Sequence, residues 1–544
     1  MSYLKNPILP GFNPDPSICR QGEDYYMAVS SFEWFPGVPI YHSKDMKNWK
    51  LLTHALNDDQ TADLRRLPSA KGVWAPCLTW CEEEGLFYLM YSIMNSMNAR
   101  FFDVDNYLIT APSIEGPWSE PVYIHSAGFD PSMLHDDDGR KWVASLEWET
   151  RDGYHKPGTI CVVEYDKETK HIVGKPKRIW AGGTRRGCIE GPHIYKREDY
   201  YYLICAEGGT GYGHSVTVGR SKDVFGPYES DPCNPILTST PDFDEMDNDD
   251  ATKLNRYNPN SYLQKSGHGS IVETTLSEIY MVHHSGRPFL PELRCTLGRE
   301  TCIQKMYWTE DGWLRLEGGG NMAKEEVVPS RLKEYKWEEP PTRRDFDDPS
   351  MPLDLYSPRI DYRSFASLTA RKGHLRLRGQ ESISSHNRAS VMAHKLTSFY
   401  ASATTKMDFK PEVYQHYAGI MIYYDSMNYI MLRKTYSDQY DGSVIDLLRV
   451  RNGEKIELLK EAILVSDESI YFRVDVEGRE TTFSWCMDGQ NYTQIGDCYD
   501  TSEFSDEYCK TGEFTGTFLG IGCVDALLHE NYADFDYFDY KVEK

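Results

Sequence analysis

The sequence predicts an all-β protein: a five-bladed β-propeller followed by a β-sandwich of the jelly-roll or concanavalin-like kind. Three observations predict it. A strand-like aromatic phrase recurs five times in the first part of the chain. Past residue 320 the pattern changes to alternating strands separated by Gly, Asn and Asp turns. Almost no stretch carries a sustained helical period. Composition agrees: 13% of the 544 residues are aromatic, with 38 Tyr and 12 Trp, and such residues favour strands.

The five phrases are residues 25–29, 87–91, 142–146, 201–205 and 279–283. Measured from Tyr25 to Phe87, Trp142, Tyr201 and Tyr280, the steps are 62, 55, 59 and 79 residues. Further strands and polar turns follow, as in residues 41–45 leading to Trp49, 110–114 leading to Trp118 and 219–223 leading to Tyr228. Each unit has room for four short strands, the content of one blade. The fifth is stretched by residues 241–260, which hold Asp242, Asp244, Glu245, Asp247, Asp249 and Asp250. This insertion lacks the glycine and terminal glutamate of an EF-hand and is expected to be a solvated surface loop. The reading divides the chain into a propeller at 1–325, a linker at 326–343 that includes the run Trp337-Glu338-Glu339-Pro340-Pro341, and a sandwich at 344–544. Sandwich strands are expected at 374–378, 418–424, 471–476 and 483–485, the last meeting the turn Asp488-Gly489.

A net charge of −24 and a pI near 5.1 argue against nucleic acid or an anionic membrane as partner. The first residues lack the apolar run of a signal peptide, and no stretch approaches a membrane span. The 13 cysteines follow no framework spacing. Free thiols and a cytoplasmic location are the expectation.

Each unit carries one distinctive residue at nearly the same offset before its aromatic phrase. Asp15 lies 10 residues before Tyr25, Trp74 13 before Phe87, Asp130 12 before Trp142, Glu190 11 before Tyr201 and His268 12 before Tyr280. Innermost propeller strands converge on the central channel, so the repeat gives three distant acids a reason to meet. Hydrolysis of a glycosidic bond needs one carboxylic acid to protonate the departing oxygen and a second carboxylate as base or nucleophile. Glu190 and Asp15 are the candidates for that pair. Asp130 is placed to raise the acid's pKa, because like charges resist ionising together. His283-His284 looks ligand-like, but neighbours on a strand point to opposite faces, so the pair reads as structural.

The phrases Asn13-Pro14-Asp15-Pro16-Ser17, Gly128-Phe129-Asp130 and Glu190-Gly191-Pro192-His193 resemble glycoside hydrolase family 43, and most of all its β-xylosidases with a C-terminal sandwich. So do Ser31-Phe32-Glu33-Trp34-Phe35-Pro36-Gly37, Ala206-Glu207-Gly208-Gly209-Thr210, Gly298-Arg299-Glu300-Thr301 and Phe514-Thr515-Gly516. The resemblance spans nearly the whole chain. It implies an inverting, exo-acting enzyme that releases D-xylose from the non-reducing end of β-1,4-xylooligosaccharides. Asp15 would be the general base, Glu190 the general acid and Asp130 the pKa modulator. Phe32 and Trp74 would wall the sugar subsite, Arg299 and Thr210 would lie in the pocket, and Phe514 would close one side from the sandwich. His268 matches a channel histidine that can hold a water-coordinated divalent cation, usually Ca2+, although no cofactor is required. A dimer or tetramer is implied. Cys77 stands where the family usually has Asp, which bears on substrate preference at the pocket edge. The alternatives are an α-L-arabinofuranosidase, as main or side activity, and a carbohydrate-binding protein without catalysis.

Overall fold

Alternation of apolar and polar residues, broken by Gly, Pro and Asp turns, makes antiparallel strands the dominant regular structure of the described residues. The computed structural model describes residues 3–98, 101–151, 158–241, 252–510 and 514–543. Its helical elements among these are two short 3-10 turns, Leu254–Arg256 and Tyr362–Ser364. The acidic residues 242–250 of the insertion lie outside the described residues.

Five antiparallel sheets form the propeller blades, numbered I to V in chain order. Their innermost strands are Ser17–Gln21, Gly72–Cys81, Ser132–His135, Glu190–Arg197 and Gln264–Glu273. The aromatic phrases form the second strand of each blade and are buried there, with Tyr25, Tyr91, Trp142, Tyr202 and Tyr280 in the blade cores.

Each junction between neighbouring inner strands carries a side-chain hydrogen bond. Leu78 N–H donates to Ser17 Oγ at 3.0 Å and Ile18 N–H to Ser270 Oγ at 3.2 Å. Thr79 Oγ1 meets His135 Nε2 at 2.9 Å, Gly191 N–H donates to Asp130 Oδ2 at 2.9 Å, and Ile271 N–H donates to Tyr195 OH at 2.9 Å. The ring is closed by the N-terminal segment. Leu4–Lys5 pairs with Glu326–Val327, and Ile8 and Leu9 donate to Thr301 O of blade V.

The linker runs along blade I. Tyr335 N–H donates to Asp45 Oδ2 at 2.8 Å, Trp337 Nε1 donates to Asn48 O at 3.1 Å, and Lys50 Nζ sits 4.2 Å from the Trp337 ring. Two sheets follow, one beginning with Arg343–Arg344 and one with Ser390–Lys395. Of the four strands expected from sequence, the first corresponds to Leu375–Arg378, one residue shorter than expected, and the other three lie within His416–Asp425, Ile470–Glu477 and Glu480–Cys486. Ile420, Leu432, Phe472, Leu519 and Phe535 fill the space between the sheets, as expected of a sandwich.

Propeller and sandwich share an apolar interface. Trp34 of blade I stacks on Phe518 with ring centroids 3.7 Å apart, and Phe12 meets the same ring edge-on at 6.2 Å. Trp34–Phe35 also pairs with Ser357–Pro358. Gly11 has φ +78, and a Cβ there would lie 2.7 Å from Leu396 O, so only glycine lets the two backbones approach.

Candidate active site

Each inner strand has a left-handed residue just before it or at an irregularity within it. These are Asp15, Ala75, Asp130, Gly191 and His268, with φ of 53, 36, 53, 55 and 56°. Asp tolerates this region better than most residues, and glycine is indifferent to it. The structure corrects the repeat read from the sequence by one residue in two blades. Ala75 and Gly191 occupy the shared position, and Trp74 and Glu190 directly precede it. β-Bulges between Trp74 and Cys77 and between Glu190 and His193 accompany the offset.

Asp15 is buried. Its Oδ1 lies 2.5 Å from Arg299 Nη1, and its Oδ2 accepts from Ser30 Oγ at 2.6 Å. Its main-chain N–H donates to His284 Nδ1 at 3.2 Å, and His268 Nδ1 lies 3.8 Å from the carboxylate. Burial opposes ionisation here, but Arg299 first, then His284 and His268, outweigh it and hold the carboxyl well below the usual range.

Asp130 accepts from Gly191 N–H and so fixes the peptide that follows Glu190. Burial, then the charges of Glu190 and Asp15, push Asp130 well above the usual carboxylate range. Glu190, half-buried at the start of its strand, is raised to about 7 by burial and then by Asp15. Arg299, Lys253 and a hydrogen bond from Thr210 act in the opposite sense without overcoming that. The three acids expected to meet are therefore close enough to set one another's ionisation.

An aromatic run borders them. Phe32 lies 5.6 Å from Phe12 and 5.5 Å from Trp74, and Trp74 meets Phe129 edge-on at 5.8 Å. Phe102 bridges Phe129 and Trp148 at 5.1 and 4.8 Å. Arg299 sits between two rings, 5.4 Å from Phe32 and 5.7 Å from Phe514, and its Nη2 donates to Phe514 O at 3.3 Å. The sandwich thus reaches the partner of the propeller carboxylate Asp15 through Phe514. Asp506 holds Phe514 there, accepting its N–H at 2.9 Å and the Tyr424 hydroxyl at 2.7 Å.

The structure adds residues that the sequence reading missed and moves others. The pair His283-His284 does split between opposite faces. His283 bonds the His284 carbonyl and Gln304, whereas His284 touches Asp15 and belongs to the site. Cys77 is buried, its Sγ 3.8 Å from His193 Nδ1 and its thiol pushed up to about 11 by burial. The insertion is not wholly a surface loop, since Lys253 and Asn258 are buried and Lys253 faces Glu190. All 13 cysteines are free.

His268 packs its ring on Gly191, where a Cβ would lie 2.9 Å from the imidazole. Around it stand His193 and His284, at ring distances of 6.5 and 5.7 Å, and the Asp15 carboxylate already engaged by Arg299. Calcium takes six to eight oxygen ligands, and this set of imidazoles does not fit a direct calcium cage. Among the described residues, no three His, Cys, Asp or Glu side chains converge as a metal-ion set.

Paired carboxylates of opposed acidity beside an aromatic wall are the equipment for acid–base cleavage of a sugar acetal. Residues 4–314 match the family model described as glycosyl hydrolases family 43. The chain belongs to that family. Residues 343–541 match a second model, the β-xylosidase C-terminal concanavalin A-like domain. The chain is 38% identical to a β-xylosidase of Bacillus subtilis, with 99% of each covered. It is 39% identical to xylosidase/arabinosidase 43B of Humicola insolens, covering 99% of this chain and 98% of the relative. The crystal structure of a xylan β-1,4-xylosidase from Bacillus halodurans superposes with a TM-score of 0.93 at 42% identity, over 99% of this chain and 100% of that one.

Proposed function

We propose that this family 43 enzyme is an inverting, exo-acting β-xylosidase that releases D-xylose from the non-reducing end of β-1,4-xylooligosaccharides. The observation that carries the reading is the opposed acidity of two carboxyls in one site. Asp15 is held ionised by Arg299 against the cost of its burial, while Glu190 keeps its proton up to about pH 7.

In this reading Glu190 gives its proton to the glycosidic oxygen as the C1–O bond breaks. Asp15 takes a proton from a water whose oxygen attacks C1 from the opposite face. Burial and the charge of Asp15 keep Glu190 protonated, and Asp130 orients it through the Gly191 peptide. Phe32 and Trp74 offer apolar surface to the sugar ring. Arg299 has donors for sugar hydroxyls besides the one engaged by Asp15, and Thr210 steadies the acid. Phe514 closes the pocket toward the sandwich and restricts it to chain ends. We assign no step to a metal. The names of the Bacillus relatives support xylosidase activity, and an acidic protein suits a neutral substrate.

Proton NMR of xylobiose with the enzyme, followed from the first seconds, tests this. Release of xylose with the α-anomer appearing first is expected. The β-anomer first would make Asp15 a nucleophile, and no xylose would refute the substrate. A second reading, α-L-arabinofuranosidase activity, is favoured by the double name of the Humicola relative and is tested with an aryl arabinofuranoside.

A further inference from the structure

Lys395 ends the first strand of one sandwich sheet and is buried at the domain interface. Its Nζ donates to Asn13 Oδ1 at 2.8 Å, across the boundary into the propeller. Among the described residues no carboxylate lies within ion-pair distance of it. Instead Nζ lies 5.0 Å from the Tyr356 ring and 6.0 Å from that of Tyr41, and His54 and Asp354 are the nearby titratable groups. Burial without a counter-charge brings the Lys395 amine down to about 7, and its hydrogen bond to Asn13 is the polar contact that holds it there.

The partner it reaches is pinned at every polar atom. Asn13 Oδ1 accepts from Tyr41 OH at 2.7 Å as well as from Lys395, so two donors converge on one amide oxygen. Asn13 Nδ2 donates to Pro10 O at 3.0 Å, and its carbonyl accepts from Thr301 Oγ1 at 2.6 Å. Asn13 N–H donates to the Arg299 carbonyl at 2.9 Å. Asn13 is two residues before Asp15, so one short segment bonds the Arg299 backbone and carries the carboxylate that Arg299 pairs with.

We infer that Lys395 is a positioning residue through which the sandwich, by way of Asn13, sets the geometry of the Asp15–Arg299 pair. This rests on the reading of Asp15 as the general base. It gives the second domain a route into the reaction separate from Phe514, because Lys395 touches neither sugar nor reacting atoms. Without it, the Asn13 amide oxygen keeps Tyr41 as its one donor, and the segment carrying Asp15 loses its hydrogen bond to the sandwich.

The test uses the full-length enzyme and the variants Lys395→Met and Tyr41→Phe, each assayed for kcat, KM, the pH profile of kcat/KM and Tm. Lys395→Met should lower kcat about tenfold or more, the size of loss that sub-ångström misplacement produces, with KM within about twofold. Its acidic limb should move to higher pH, because a loosened Arg299 contact lets the Asp15 pKa rise. Tyr41→Phe removes the other donor from the same oxygen and should move kcat and the acidic limb the same way by less. Should Lys395→Met not fold, Tyr41→Phe decides alone. A lowered Tm with kcat and acidic limb at wild-type values, in whichever variant folds, would leave Lys395 a merely structural lysine and overturn the inference. A wild-type enzyme without glycosidase activity would remove the reading beneath it, a result distinct from unchanged variants of an active enzyme.

Discussion

Arg299 and Asp15 form a buried ion pair, Nη1 to Oδ1 2.5 Å, with the guanidinium held between the rings of Phe32 from the propeller and Phe514 from the sandwich. Burial alone would push Asp15 up, and Arg299 is the largest influence in the other direction. Arg299→Met should therefore shift the acidic limb of kcat/KM to higher pH. It should also lower kcat/KM by roughly 10²-fold, the loss that misplacing a catalytic group by about 1 Å produces. A pH–rate profile of the variant checks both. An unmoved acidic limb would mean that the limb is not that of Asp15.

Glu190 should set the alkaline limb. With its carboxyl raised to about 7, kcat/KM is expected to fall as pH rises through neutrality. Glu190→Ala should lose far more rate on xylobiose than on an aryl xyloside with an activated leaving group, which needs little protonation. Steady-state rates on the two substrates decide it, and equal losses would refute the acid assignment.

The same group makes a stability prediction. A carboxyl raised on folding binds its proton more tightly in the folded chain, so its contribution is present below the ordinary pKa of 4.5 and is lost as pH rises through about 7. Glu190→Gln lacks that loss. Its Tm relative to wild type should rise between pH 4 and pH 8, as calorimetry at the two pH values would report. A constant difference would argue against the raised acidity.

Phe514 meets the pocket through its ring and carbonyl. Phe514→Ala should raise KM by up to about tenfold, the equivalent of the 0.5–1.5 kcal/mol an aromatic contact contributes. The pH limbs should stay in place, because the aspartate and arginine remain. Initial-rate kinetics on xylobiose and xylotriose would show it.

The Trp34–Phe518 stack joins the two units. Trp34→Ala should destabilise the protein by about 3–5 kcal/mol, the usual cost of emptying a large buried aromatic site. A urea titration followed by fluorescence should give a lower midpoint.

Much of this architecture is legible in the sequence because each unit repeats a buried aromatic strand, and strands announce themselves by local pattern. Asp15 and Asp130 were legible for the same reason, each lying two residues before its inner strand. Glu190 was found by the same offset rule, although offsets of 10 to 13 residues do not distinguish the left-handed residue from its predecessor. His284 was misread because alternation says that neighbours face apart without saying which faces inward. Lys253 was hidden in an acidic insertion, and Lys395 reads as the end of an ordinary strand. Their importance comes from burial against another part of the chain, which has no local signature.

The left-handed position at the inner strand of each blade holds Asp, Ala, Asp, Gly and His in turn. The backbone shape is common to all five, so the shape does not determine which blade bears charge. The propeller is a fivefold socket, and the chemistry is an inventory of which sockets are filled. Changing the reaction in such a protein means exchanging occupants while the frame stays put. Ala75 is the vacancy: the one socket holding neither a charge nor a ring nor the flexibility of glycine, and the natural place for a designer to install a new function.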